Sequence, residues 1–308
     1  MRVKRRSAWI ATVVLALMAP TISWAAIRPG HRAGWLRPAP PAHIVVLLLE
    51  NKEYPSVIGP GRAPFLNGMA RAHVLLTNDF AVSHPSLPNY LALTSGSTFG
   101  ITSDCTTCFF TGRNIVDQLV AHQLSWKAYM QGMPSACFKG SQAGTFPHQY
   151  AAKHDPFIHY VDVRSNPARC HRIVPFPQLG RDLALGRLPR YAFISPDLCF
   201  DMHSCPISVG DAWLSGWVPR ILSHLGPNGL LVLVFDEGSS RAGCCGSGIA
   251  GGHVAAIIAG PGAKRGARIT TSIDHYSILR LIEDTLGFVR LRHAADPSTR
   301  SILGWRRA

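Results

Sequence analysis

The chain has 308 residues, 47% hydrophobic and only 16% charged, which excludes a disordered polypeptide and supplies the apolar material for a sizeable core. Lysine and arginine outnumber aspartate and glutamate 31 to 17, a formal charge of +14, which becomes +10 when Arg2, Lys4, Arg5 and Arg6 are set aside. That balance favours anionic substrates or anionic surfaces.

Residues 1–26 read as a secretory signal: a basic start, an apolar stretch over 8–20, then Ser23-Trp24-Ala25-Ala26. The apolar stretch is short for a bilayer span, so cleavage and export to the periplasm or beyond are expected. Arg5-Arg6 also raises a twin-arginine route. Residues 27–42 are a proline-rich lead-in, and residues 43–308 are expected to form a single domain.

Residues 43–49 (HIVVLLL) form a continuous aliphatic run, the pattern of a strand covered on both faces. A helix is expected over 63–71, a strand over 73–80, and a helix over 87–94 with Pro88 tolerated in its first turn. A helix over 114–122 precedes an extended stretch at 125–130. Residues 190–195 suit another strand. Residues 207–225 place Leu214, Trp217, Val218, Ile221, Leu222 and Leu225 on one helical face, with Gly216 and Pro219 working against it. Residues 230–235 (LLVLVF) are the clearest buried strand, and 254–259 should join the same sheet. A last helix over 275–286 ends at Gly287. Alternating strands and helices indicate an α/β fold, a mostly parallel central sheet flanked by helices. Ligands in such folds gather beyond the carboxyl ends of the strands.

Eight cysteines (Cys105, Cys108, Cys137, Cys170, Cys199, Cys205, Cys244, Cys245) suit disulfides in an oxidising compartment. Spacing favours Cys105–Cys108 and Cys199–Cys205. The first pair also has the form of a zinc half-site, but there is no second CxxC to complete it. Adjacent Cys244 and Cys245 are expected each to find a distant partner or stay free.

Two of the hydrophobic strands end in oxygen-bearing residues, Glu50-Asn51 and Asp236-Glu237. One such pair is ordinary strand-end chemistry. Two pairs at the same sheet edge repel one another unless a cation or protons intervene, and a divalent metal is the economical solution. The third strand leads into Ser83-His84-Pro85-Ser86, where Ser86 opens a helix and Asn89 lies about one turn on; as an alternative, Ser86 is a plain N-cap. His203 follows the 190–195 strand within PDLCFDMHSC and is a candidate either to protonate a leaving group or to hold a phosphoryl oxygen. His154 and His253 are weaker candidates. No G-x-S-x-G surrounds Ser86, and neither phosphate-cradling glycine loop occurs, which argues against a nucleophile-elbow esterase and nucleotide-cofactor chemistry. Basic residues are scattered without an aromatic platform, so no specific nucleic-acid partner is expected.

Taken together, 45–51 (VVLLLEN), 83–96 (SHPSLPNYLALTSG), 150–157 (YAAKHDPF), 196–205 (PDLCFDMHSC), 235–238 (FDEG) and 275–286 resemble the secreted bacterial phosphoesterases. That group includes acid phosphatases and phosphocholine- or phosphoinositide-directed phospholipases C, with an alkaline-phosphatase-like core. The resemblance implies Glu50, Asn51, Ser86, Asp236 and Glu237 as metal ligands and Ser86 as nucleophile. It implies Asn89 as a phosphate ligand, His203 as an active-site histidine, and His154 as a phosphate contact. His253 is added as substrate-binding. Lys52-Glu53-Tyr54 and the glycine-rich 239–252 stretch depart from the family pattern, and the extra C-terminal domains of the phospholipases are lacking.

The expected activity is therefore a secreted, metal-dependent phosphomonoesterase with a phosphoserine intermediate. One alternative is a phospholipase C-type phosphodiesterase acting on phospholipid headgroups, with peripheral contact to an anionic membrane. Another, of a different class, is a non-catalytic polyanion-binding protein, whose binding would collapse with salt.

Overall fold

A computed structural model describes residues 43–59, 61–246 and 251–307; the expected signal peptide and lead-in lie outside these described residues. Its strands in chain order are β1 (Ile44–Leu49), β2 (Val74–Phe80), β3 (Trp126–Met130), β4 (Gln142–Thr145), β5 (His148–Ala151), β6 (Ile173–Pro175), β7 (Tyr191–Ser195), β8 (Leu230–Phe235), β9 (His253–Ala259), β10 (Arg268–Ile269) and β11 (Ile273–Asp274). Eight of them run in the order β10-β2-β9-β8-β1-β7-β3-β6, with β11 also on β2, while β4 and β5 form a separate hairpin. Pairing is parallel throughout the large sheet except at β9, which runs antiparallel to both β2 and β8.

Both faces of the central strands are apolar, as continuous aliphatic runs require. Ile44, Val46 and Leu48 of β1 face one core layer, and Val45, Leu47 and Leu49 face the other. Helices Ser86–Ser95 and His275–Leu286 cover the first face through Leu87, Tyr90, Leu91, Ile278, Leu279 and Ile282. Helices Pro64–Ala72, Pro177–Ala184 and Ile207–Leu222 cover the second through Leu66, Leu179, Leu183, Leu214, Val218 and Ile221. The α/β arrangement with a mostly parallel sheet is therefore the observed one. No helix among the described residues is long and apolar enough to cross a membrane.

Helix ends follow local chemistry. Asn114 and Asp117 form a reciprocal capping box before Ile115–Ala121, and Asp274 with Ser277 does the same for His275–Leu286. Gly96 ends Ser86–Ser95 at φ +72, where a Cβ would lie 2.5 Å from the Leu291 carbonyl oxygen, so glycine is required. The disulfides are Cys105–Cys108, Cys137–Cys170, Cys199–Cys205 and Cys244–Cys245. The last corrects the expectation for the adjacent cysteines, which are bonded to each other. The chain accommodates the pair by taking Cys245 into the left-handed region at φ +66.

Candidate active site

Strand register builds the floor of the site. β1 and β8 pair in parallel with Leu49 opposite Phe235, so Glu50 and Asp236 emerge side by side at the carboxyl edge. The Asp236 amide donates to the Leu49 carbonyl at 2.9 Å, and the Glu50 amide to the Asp201 carbonyl at 2.8 Å. Asn51 adopts φ +54, a conformation asparagine tolerates better than most residues. Its amide donates back to Asp236 Oδ1 at 2.9 Å, and its side-chain amide donates to Glu50 Oε2 at 3.2 Å.

Ser86 opens its helix directly above this floor and is buried. Its Oγ donates to Glu50 Oε2 at 3.0 Å and lies 3.4 Å from Glu237 Oε1. The preceding loop is held by Asn89. Asn89 Oδ1 accepts from the Val82 and Ser83 amides, both at 3.1 Å, and Nδ2 donates to the Ser83 and Pro85 carbonyls at 2.8 and 3.3 Å. That exhausts the bonding capacity of the amide. Contrary to expectation, Asn89 is thus committed to positioning the Ser86 loop, with nothing left for an anion. The next amide, Leu87 N–H, donates to Asp104 Oδ1 at 3.0 Å, and Asp104 in turn holds Lys153 Nζ at 2.8 Å.

His154 lies in the floor. Its Nε2 is 3.3 Å from Glu50 Oε1 and its Nδ1 3.3 Å from Asp201 Oδ2, and its ring stacks on Tyr90 at 5.3 Å. Neither contact has hydrogen-bond geometry. Burial, with Lys153 and His203 adding, holds the imidazole well below its usual range, so it is neutral. A neutral imidazole has one N–H, so it can donate to at most one of the two carboxyls. With both nitrogens directed at carboxylates, His154 does not present itself to a phosphoryl group as expected.

The carboxylates show the same tension. Burial and then the Asp236 charge raise Glu50 well above the usual range, and burial with Asp236 does the same to Asp201. Burial pushes Asp236 up to about 6 despite the Asn51 amide, and burial with the Asp236 charge pushes Glu237 up to about 7. Asp236 Oδ2 and Asp201 Oδ2 have no hydrogen-bond partner although buried. Hard oxygen ligands with one imidazole suit a divalent cation. Glu50, His154 and Asp201 offer ligand atoms within 4.8 Å of one another, a set that overlaps the expected one only at Glu50.

The remaining histidines divide. His203 stands at the rim, half-buried, with Nε2 3.5 Å from Lys153 Nζ and Nδ1 3.0 Å from Ser204 Oγ. Burial, Lys153 and Lys52 lower it. His253 is elsewhere: its Nε2 bonds the Thr77 carbonyl at 2.8 Å and its ring stacks between Tyr54 and Phe80. As the first residue of β9 it serves the sheet.

Three contributors went unread in the sequence. Tyr90 donates to Glu50 Oε1 at 2.5 Å, Asp201 faces His154, and His84 contacts Glu237 while its Nε2 bonds the Ser240 carbonyl at 2.9 Å. Burial opposes protonation of His84, but the Ser240 carbonyl and Glu237 outweigh it and raise its pKa. Each adjoins or lies within a motif already singled out, which was the available signal.

A model of the Phosphoesterase family matches residues 60–289. The chain belongs to this family. A phosphatidylinositol-3-phosphatase of Mycobacterium tuberculosis is 30% identical over 303 residues, covering 96% of this chain and 92% of that protein. An acid phosphatase of Aspergillus fumigatus is 31% identical over 251 residues, 79% of this chain and 54% of that one. The phosphoesterase thus spans about half the length of that fungal relative. Among solved structures, a lipoteichoic acid synthase from Listeria monocytogenes superposes with TM-score 0.57 at 9% identity, covering 82% of this chain and 74% of that one. An alkaline phosphatase superfamily protein from Vibrio parahaemolyticus superposes with TM-score 0.55 at 13% identity, covering 84% and 72%. These likenesses establish the shared fold. The family and the named phosphatases make the protein a phosphoester hydrolase.

Proposed function

We propose that the protein is an exported, metal-dependent phosphomonoesterase with Ser86 as nucleophile, its catalytic unit spanning residues 43–308. The observation that carries the reading is Ser86 Oγ lying 3.0 Å from Glu50 Oε2 and 3.4 Å from Glu237 Oε1, above buried carboxylate oxygens on Asp236 and Asp201 that lack partners. Glu50, Asp201, Asp236, Glu237 and His154 would hold the cation. When bound, it supplies charge to offset these carboxylates and to polarise phosphoryl oxygens.

The residues then divide the work. Ser86 Oγ gives up its proton along the existing hydrogen bond toward Glu50 as it attacks phosphorus. The ester P–O bond breaks, and the departing alkoxide takes a proton from His203 at the rim. Lys153 places positive charge beside the transferring group. Water then attacks the phosphoserine, phosphate leaves, and Ser86 regains its proton. Export is supported by the pairing of every cysteine among the described residues.

The test is a substrate panel on the purified protein before and after chelator treatment. A simple phosphomonoester should release inorganic phosphate, lose that release on chelation, and regain it with added divalent cation. Release of phosphorylated headgroup from phosphatidylcholine or phosphatidylinositol, with no phosphate from the monoester, would replace this reading with the phosphodiesterase one.

A further inference from the structure

The two segments that deliver Asn51 and His203 to the site also wall a cavity of about 480 Å³, lined by Lys52, Arg62, Cys205, Pro206, Ile207 and Ser208. Lys52 directly follows Asn51, and Cys205 lies two residues after His203, so this cavity adjoins the segments that build the site. Among the described residues, neither the Lys52 ammonium nor the Arg62 guanidinium makes an ion pair. Lys52 is half-buried and Arg62 exposed. No acidic residue lines the cavity. The 16-residue helix Ile207–Leu222 begins at its wall with no acidic residue in the first turn, so its amides add to the positive field.

Two unpaired cations on one cavity wall, next to a site that handles phosphoesters, have an evident complement. We propose that this cavity is a subsite for a second anionic group on the alcohol portion of the substrate, with Lys52 and Arg62 as specificity-determining residues. The substrate class is then a phosphomonoester whose alcohol carries another phosphate. The inference rests on the phosphomonoesterase reading. Arg recognises such a group through a planar fork and Lys as a point charge. Since the cavity is open, the preference is screened by salt.

The experiment compares kcat/KM for fructose 1,6-bisphosphate and fructose 1-phosphate in the full-length enzyme, Arg62→Gln, Lys52→Gln and Lys52→Arg. The expected result is a bisphosphate preference that falls about tenfold in Arg62→Gln and Lys52→Gln, mainly through KM. Lys52→Arg should restore most of it, and raising salt should erode it in the wild type. Arg62 is exposed, so its replacement leaves the core untouched. Phosphate release from both substrates with the same preference in every variant overturns the subsite and leaves the phosphatase reading standing. No phosphate from either substrate in the wild type overturns that reading and the subsite with it.

Discussion

Removing one carboxylate from the floor should stabilise the metal-free protein while destroying its function. Asp236 is fully buried, and its carboxyl is moved from 3.8 to about 6, so folding takes up a proton between those values. Its contribution is therefore most favourable below about pH 3.8, is lost as the pH rises to about 6, and is a constant penalty above that. A displacement from 3.8 to about 6 corresponds to a penalty of about 3 kcal/mol at pH 8. Asp236→Asn removes this penalty and keeps an oxygen to accept the Asn51 amide, but it places a new NH₂ where Oδ2 has no partner, at a cost of about 1 kcal/mol. The net gain is about 2 kcal/mol, or a melting temperature raised by roughly 3–4 °C in a chain of this size. The assay is thermal and urea denaturation in chelator at pH 8 and pH 4, repeated with divalent cation. The variant should be the more stable at pH 8 in chelator, show little advantage near pH 4, and be the less stable with cation present. A variant no more stable than wild type in chelator at pH 8, or equally advantaged at both pH values, would refute the reasoning.

Ser86→Ala should lower phosphate release by at least about 10³-fold, the scale of losing a nucleophile, with metal content by elemental analysis unchanged; turnover within tenfold of wild type removes Ser86 from that role. Tyr90→Phe deletes the hydroxyl that donates to Glu50 and should weaken metal retention about tenfold in a competitive chelator titration. The pH profile of kcat/KM should be bell-shaped. Its acid limb comes from carboxylates that must lose protons, and its alkaline limb from His203, whose lowered pKa starts that limb below 6.5. His203→Gln should flatten the alkaline limb alone. Gly96→Ala forces a Cβ to 2.5 Å from the Leu291 oxygen at a positive φ and should lower the melting temperature without altering KM.

The sheet was legible because its central strands carry unbroken aliphatic runs, and β1, β2, β7 and β8 begin within one residue of the sequence reading. The hairpin of β4 (QAGT) and β5 (HQYA), and the two-residue strands β10 and β11, carry no apolar period and could not be read. In the site, Glu50 and Asp236 were visible because a carboxylate ending a buried strand has few alternatives. Tyr90 looks like core because it sits in an apolar helix, and only folding brings its hydroxyl to Glu50. Asp201 was overshadowed by His203 two residues on. Asn89 was assigned to the substrate since sequence shows residue type and not which neighbours have already taken its donors and acceptors. His253 was added to the substrate on residue type alone, whereas its ring stacks on Tyr54 and Phe80.

In most half-buried sheets, sliding one strand by a residue turns oily side chains toward water, and that alone forbids the slip. β1 (IVVLLL) and β8 (LLVLVF) have no such safeguard, because both surfaces of each strand are equally greasy. Their alignment must be chosen by something else, and what stands at their shared end is the Glu50, Asn51 and Asp236 amides with their fixed acceptors. The same handful of polar contacts that readies the chemistry therefore also tells the two innermost strands where to stop.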